Sequence, residues 1–283
     1  MLHAISVDVE DWYQSTIDVG APLAAGFDRD VYRVLEVLAA HQVRGTFFVL
    51  GLAAEKAPEA VRAIAQAGHE IQSHGYGHRS NFDLDEAAIR QDLTRNKALL
   101  EDLVGREVFG YRAPSFSIDE RNLWVLDVLA ETGHRYDASI FPLKRARYGI
   151  AGYPPQVRVV QGPRGGRIVE VPVASVDWLG RRVPVGGGGY FRLWPYAVLR
   201  RAWRRMERLG RPGIAYLHPY EFDPAQMAAY RGRVSWRMRL HQGLGRKGFP
   251  AKVDRLLREF RFGAIEEVIG DLLREVARQA PSP

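Results

Sequence analysis

Apolar positions along the first two-thirds of the chain follow two alternating spacings. Short runs such as Ala4–Val9 and Thr46–Leu50 read as buried strands, whereas Val31, Val34, Leu35 and Leu38 recur at helical spacing in a segment that Gly45 closes. Pro58 suits a first helical turn, with Val61, Ile64 and Ala65 on the inner face and Gly68 as the stop. His69–Ser73 is the next strand. A longer helix then runs from Asp85 to about Leu103, with Ile89, Leu93, Leu100 and Leu103 inward and Gly105 at its end. Phe109–Arg112 is strand-like, Leu123–Glu131 is helical, and Gly133 precedes a further extended pair, Tyr136-Asp137. Strands separated by helical patterns of roughly 10–15 residues predict βα units around a parallel sheet or barrel.

This rhythm breaks between Ile140 and Gly189, a stretch rich in Pro, Gly and Arg with one clear strand at Ile168–Val173 and a run of glycines at Gly186–Gly189. It reads as an elaborated insertion near the site rather than a separate domain. A helix from Pro195 to Leu209 and a strand at Ile214–Leu217 restore the pattern. Val253, Leu256, Leu257 and Phe260, then Ile265, Ile269, Leu272 and Val276, predict one or two amphipathic helices packed on the same body. The expectation is a single domain over residues 1–283, with a core at about 4–222, an insertion at about 140–190 and a helical extension at about 223–283.

Composition changes this picture little. The hydrophobic share of 46% and charged share of 26% are those of a globular protein, and no apolar run reaches the ~18 residues that span a membrane. Met1-Leu2-His3 runs straight into a strand without a basic and apolar leader, so the expected location is cytoplasmic. The absence of cysteine restricts any metal site to His and carboxylate ligands. The formal charge of +7 is concentrated in Arg200–Arg211 and Arg231–Arg246, where arginines alternate with Trp, Met and Leu. Solvated helix faces with buried stems are the plain reading; a surface for acidic glycans, anionic lipid or nucleic acid is the other.

The chemical candidates gather where predicted strands end, which in parallel barrels is where active sites form. Asp8, Glu10 and Asp11 follow the first strand, His74 and His78 follow His69–Ser73, Arg112 closes another strand, and His218 closes the last. In Ser73-His74-Gly75-Tyr76-Gly77-His78 the two imidazoles are four residues apart, a spacing that on a helical turn sets both towards one ion. One of the acids in Asp8-Val9-Glu10-Asp11-Trp12 can complete a two-His, one-carboxylate set, and another can act as a general base. His3, His41, His69, His134 and His241 lack such partners and read as structural or surface residues.

In their order along the chain these motifs resemble the polysaccharide deacetylases of the NodB-homology type. The resemblance rests on Asp8 with its acidic neighbours, His74 to His78, Tyr111-Arg112-Ala113-Pro114-Ser115-Phe116 and Leu217-His218-Pro219, together with Gly45-Thr46-Phe47-Phe48 and the Gly68–His74 segment. It covers roughly residues 4 to 222. Asp8-Val9-Glu10-Asp11-Trp12-Tyr13, Tyr136–Pro142 and Gly186–Arg192 are similar to the subgroup found in bacterial exopolysaccharide and exosortase gene clusters.

The resemblance implies an α/β fold, a distorted (β/α) barrel with an inserted Gly/Pro-rich region and C-terminal helices. It implies hydrolysis of N-acetyl groups from amino sugars with one divalent cation, zinc first and cobalt or nickel next. By position Asp8 is the general base, Arg112 its ionic partner and His218 the general acid. His74 and His78 are metal ligands, and the third is Glu10 or Asp11, with Glu10 slightly favoured because it shares a strand face with Asp8. Asp137 is expected to orient His218, with Asp177 second. Trp12, Tyr76, Phe116 and Trp178 are candidates for stacking on sugar, with core packing the expected role for at least half of them. The expected partner is an N-acetylated polysaccharide or oligosaccharide and not nucleic acid, and peripheral contact with an anionic surface stays open. Two rivals remain: a cyclic amide or ureide hydrolase on the same fold, and a non-catalytic glycan-binding relative.

Overall fold

A computed structural model describes residues 1–279. Strand β1 (Leu2–Val9) leads through helices α1 (Trp12–Thr16) and α2 (Phe27–Ala40) to β2 (Thr46–Val49), and α3 (Gly51–Lys56) and α4 (Pro58–Gln66) lead to β3 (Glu70–Ser73). Helix α5 (Glu86–Val104) precedes β4 (Gly110–Tyr111), and α6 (Val125–Glu131) precedes β5 (Tyr136–Asp137). Two hairpins follow, β6 (Arg158–Gln161) with β7 (Arg167–Glu170) and β8 (Ser175–Trp178) with β9 (Arg181–Pro184). Then come α7 (Gly188–Leu193), α8 (Tyr196–Arg208) and β10 (Ile214–Leu217). The C-terminal part holds α9 (Gln226–Ala229), α10 (Trp236–Gly243), α11 (Phe249–Glu259), β11 (Arg261–Gly263) and α12 (Ile265–Gln279).

The main sheet runs in the order β10-β1-β2-β3-β4-β5-β7-β6, with β11 also on β1. Its pairings are parallel except that of β6 with β7. The sheet curls, and the space between β7 and β10 is crossed by single backbone bonds, from Ala174 N–H to Ile214 O at 2.9 Å and from Tyr216 N–H to Gly186 O at 2.8 Å. Gly186 and Gly187 lie flush on β10, and a Cβ on Gly187 would stand 2.0 Å from the Tyr216 carbonyl oxygen. The glycine run is therefore a backbone-to-backbone seam.

Strand alternation decides what faces the site. Ile5, Val7 and Val9 belong with Val31, Leu38, Trp203, Leu256 and other helix residues to the outer core, while Ala4 joins Phe48, Tyr136 and Ile214 inside the curl. Ser6 and Asp8 share that inner face by period. Each fully buried aliphatic chain contributes about 1.5–3 kcal/mol, so a one-residue slip of β1 would exchange these for a carboxylate and a hydroxyl. Helix α12 packs Ile265 and Ile269 against the same inner cluster.

The expected βα rhythm is present, and three differences stand out. The 140–190 stretch, read as an insertion, supplies β6 and β7 to the main sheet. Strand β6 escapes detection because its residues Arg158-Val159-Val160-Gln161 are exposed or half-buried at an edge. Strand β11, three residues between two tail helices, pairs with Leu2–Ala4 and is too short to leave a periodic signal.

Candidate active site

At the end of β1 the chain turns sharply. Glu10 follows Asp8 and Val9 without a break, whereas Asp11 is the N-cap of α1: its Oδ1 accepts from the Tyr13 and Gln14 N–H groups, both at 3.0 Å, and its Oδ2 from Ala24 N–H at 3.3 Å. Both Asp11 oxygens are thus engaged by backbone donors. The Glu10 carboxylate instead meets the imidazoles, with Oε2 at 2.8 Å from His78 Nε2 and 3.5 Å from His74 Nε2.

The two histidines come together by a different route from the helical turn their spacing suggests. Residues 74–78 form an irregular loop after β3, with Gly75 at φ +75° and His78 at φ +53°. A side chain at Gly75 would need that left-handed backbone and would bring its Cβ to 2.9 Å from Asp92 Oδ2. The imidazole rings lie 5.6 Å apart. His74 Nδ1 is hydrogen-bonded to the Arg112 carbonyl at 2.7 Å, which fixes the tautomer and leaves Nε2 with its lone pair facing Glu10.

Glu10, His74 and His78 each offer one ligand atom, all within 4.8 Å of one another. Glu10 Oε2 is buried and has no hydrogen-bond partner despite its closeness to the imidazole nitrogens. An orphaned carboxylate oxygen facing two imidazole nitrogens is a donor set suited to zinc and similar divalent ions. Burial pushes the Glu10 carboxyl up in pKa, but the His78 charge, the closeness of the His74 and His78 imidazoles and the His218 charge outweigh it and hold the group well below the usual range.

Asp8 is held by Arg112. The buried guanidinium donates from Nη1 to Asp8 Oδ1 at 2.6 Å and to Ser6 Oγ at 2.9 Å, and from Nε to the Ala138 carbonyl at 3.2 Å. Its carbon lies 4.2 Å from the centre of the Phe48 ring. The turn after it is strained, with Ser115 and Phe116 both at positive φ, a cost of about 1–3 kcal/mol each. Asp8 Oδ2 looks across at His218 Nε2, 3.9 Å away, which is also 3.7 Å from Glu10 Oε1.

The residue that orients His218 differs from expectation. Glu221 Oε2 accepts both from the His218 backbone N–H and at its Nδ1, each at 3.1 Å. Glu221 Oε1 lies 3.2 Å from Arg192 Nε, in the segment after the glycine seam. Burial lowers the pKa of His218, yet the Glu221 hydrogen bond and the Glu221, Glu10 and Asp8 charges together raise it. Asp137 does not reach His218: its carboxylate accepts from Ser139 N–H at 3.2 Å and Ser139 Oγ, while that hydroxyl oxygen accepts from Ala113 N–H at 2.7 Å. Asp137 therefore braces the arginine turn. Asp177 lies on the exposed β8 and β9 hairpin, paired with Arg182 at 2.9 Å. A signal for Glu221 was present, since a helix-capping residue with Glu three positions on is the pattern of a reciprocal cap.

The aromatic candidates scatter. Trp12 is buried against Tyr230 and Tyr220, and Phe116 packs on Phe141, Tyr148 and Tyr216. One face of Tyr76 is covered by the Arg95 guanidinium at 3.5 Å. Trp178 is partly exposed on the outer hairpin. Among the other histidines, His3 and His69 accept from the Gly213 and Gly45 N–H groups, in line with structural roles.

A curled, mainly parallel sheet with a largely buried Glu/His/His cluster and an Asp–Arg pair at its strand ends defines an α/β half-barrel with a candidate metal centre. Residues 13–136 match the family model for polysaccharide deacetylase, and residues 138–270 match a domain of unknown function (DUF3473). Over residues 13–136 the chain is thus similar to the polysaccharide deacetylases. It is 35% identical over 91 residues to a peptidoglycan-N-acetylglucosamine deacetylase of Bacillus cereus, an alignment covering 32% of this chain and 33% of that protein. The first three curated relatives are spanned over only 27–41% of their length. A Mycobacterium smegmatis structure assigned as a polysaccharide deacetylase superposes with a TM-score of 0.63 at 25% identity, covering 99% of this chain and 91% of that one. The PuuE allantoinase structure has a TM-score of 0.61 at 17% identity, covering 99% and 91%, and shows the shared fold.

Proposed function

We propose that the chain is a metal-dependent carbohydrate N-deacetylase, removing acetyl groups from amino sugars of a polysaccharide or its precursor and acting as one catalytic unit across both matched segments. One observation carries this reading. Asp8 Oδ2 and His218 Nε2 face the same 3.9 Å gap, while Asp8 Oδ1 is engaged by Arg112 and His218 Nδ1 by Glu221. A free carboxylate oxygen and a free imidazole nitrogen beside a Glu/His/His cluster are a base and an acid placed for amide hydrolysis.

Glu10, His74 and His78 would hold a divalent cation, zinc first and cobalt or nickel next, which when bound would supply Lewis acidity for the carbonyl and for water. Asp8 takes a proton from the attacking water as its oxygen bonds to the acetyl carbon. Arg112 keeps Asp8 ionised and fixes Oδ2 towards that water. When the C–N bond breaks, its electron pair takes a proton from His218 Nε2, so that acetate and a free amine leave. Glu221 holds the His218 ring in the orientation this transfer needs. The Bacillus cereus relative is named for peptidoglycan N-acetylglucosamine, which supports an N-acetylglucosamine-containing glycan as the substrate class.

Acetate release from N-acetylglucosamine oligomers tests the reading. Turnover should disappear on chelation and return with zinc, and Asp8→Asn and His218→Ala should each lower kcat by roughly a hundredfold or more. Unchanged turnover in both variants would sink the mechanism, and opening of an allantoin-like ring without acetate release would move the chain to the ureide hydrolases.

A further inference from the structure

The two arginine-rich stretches fold into surfaces of different kinds. In α8, Leu199, Ala202, Trp203 and Met206 are buried while Arg201, Arg204, Arg205 and Arg208 are exposed. That is an ordinary amphipathic helix with a solvated basic face. In α10 no residue is buried at all. Trp236, Leu240 and Leu244 are 63%, 60% and 53% exposed. Spaced four apart, they fall on one stripe of the α10 turn, with Arg237 and Arg239 flanking it on either side.

The charge around this stripe is of one sign. Residues 224–253 contain no Asp or Glu. Arg231, Arg233, Arg237 and Lys247 are exposed, and none of these four side chains forms an ion pair among the described residues. An outward Trp and two outward Leu cost free energy in water, and the fold leaves more than half of each open, with the Arg237 guanidinium 5.6 Å from the Trp236 ring centre. A partner that satisfies both features must offer an apolar phase and negative charge side by side. The interface of an anionic bilayer does so, with acyl chains for the stripe and phosphates for the arginines.

We propose that α10 docks the chain on an anionic lipid membrane, with Trp236, Leu240 and Leu244 entering the headgroup boundary and Arg237 and Arg239 among the phosphates. Its place gives the contact a purpose. Helix α9, just before α10, supplies Met227 to the cluster that contains Trp12 and Tyr220, which lie two residues beyond Glu10 and His218. Tyr230 of the connecting turn stacks on Tyr13 with ring centres 5.0 Å apart. Helix α10 is thus joined through α9 to the cluster that flanks Glu10 and His218, and docking there would hold the candidate active site at the lipid surface. The docking itself does not rest on the deacetylase reading, because it is measured without turnover.

Flotation with phosphatidylcholine vesicles, with and without phosphatidylglycerol, tests it on the full chain. The chain should float with the anionic vesicles, stay behind with the neutral ones, and be released by salt. Trp236→Ser with Leu240→Ser should weaken binding roughly tenfold or more, as should Arg237→Gln with Arg239→Gln. Trp236→Phe with Leu240→Met should retain it, and Arg201→Gln with Arg204→Gln on α8 should leave it nearly unchanged. These side chains are exposed, apart from the half-buried Arg239, and an unaltered thermal midpoint checks that each variant is folded. No flotation of the parent chain, equal flotation of the Trp236→Ser and Leu240→Ser variant, or a dimer in sedimentation velocity that this variant abolishes would each overturn the proposal.

Discussion

At the scale of single residues, the strand-end chemistry was legible because each group stands at the end of its own β-prone run. Asp8, His74, Arg112 and His218 stand at such ends, and the structure brings them together. The partner of His218 was missed because Asp137 occupies a position where an acid was expected, whereas Glu221 sits in an unremarked turn. Their contacts separate the two: Asp137 bonds Ser139, and Glu221 bonds the backbone N–H and the ring Nδ1 of His218. Glu221→Ala should lower kcat by roughly a hundredfold with little change in KM, since an unrestrained imidazole loses its aim rather than the substrate. Glu221→Gln keeps an oxygen for the backbone N–H and should fall between that variant and the parent. Steady-state kinetics on an N-acetylglucosamine oligomer reads both values.

At the scale of elements, the choice between Glu10 and Asp11 turned on a helix too short to see in the sequence. Trp12–Thr16 has no periodic signal over five residues, but it still needs an N-cap, and Asp11 fills it. Asp11→Ala should therefore lower stability by about 1–2 kcal/mol in urea denaturation while leaving zinc binding intact. Glu10→Ala should do the reverse, abolishing tight zinc binding in calorimetry at little cost in stability. If Asp11→Ala were the variant that lost zinc, the ligand assignment would be wrong. The loop at 74–78 teaches a related point. Spacing of four suggested a helical turn, and Gly75 and the left-handed His78 backbone bring the imidazoles together without one.

At the scale of the whole molecule, the sheet runs through the boundary between the two family-model matches. Tyr136 and Asp137 of β5 pair with Val169 and Glu170 of β7, so the matches at 13–136 and 138–270 meet inside one sheet. Rhythm revealed the first part; the second was obscured by exposed edge residues and Gly-rich connections. A buried carboxyl pair marks the junction. Burial raises Asp137 to about 6, with hydrogen bonds from Glu170 and Ser139 and the Arg112 charge opposing the rise. Burial and the Asp137 charge push Glu170 well above its ordinary value. Folded pKa values above the unfolded ones mean that the stability tied to this pair is fully present below the unfolded carboxylate range. It is lost as pH rises from about 4 through the folded values. The thermal midpoint should fall over that window, and Glu170→Gln should flatten the fall. An unaltered slope in scanning calorimetry would show that other groups set it.

The position of β1 has a consequence for biosynthesis. Strand β1, which carries Asp8, leaves the ribosome before the strands it pairs with, yet it lies inside the finished sheet, bonded to residues 214–217 and 261–263. Most of the polypeptide must be translated before that strand is flanked, which leaves a slow, non-local closure and an apolar edge open to wrong pairing meanwhile. A nascent chain halted before residue 214 would hold Asp8, His74 and His78 but neither His218 nor the neighbour that seats β1. Interrupted synthesis would then yield a client for chaperones or proteases rather than a fragment with part of the chemistry.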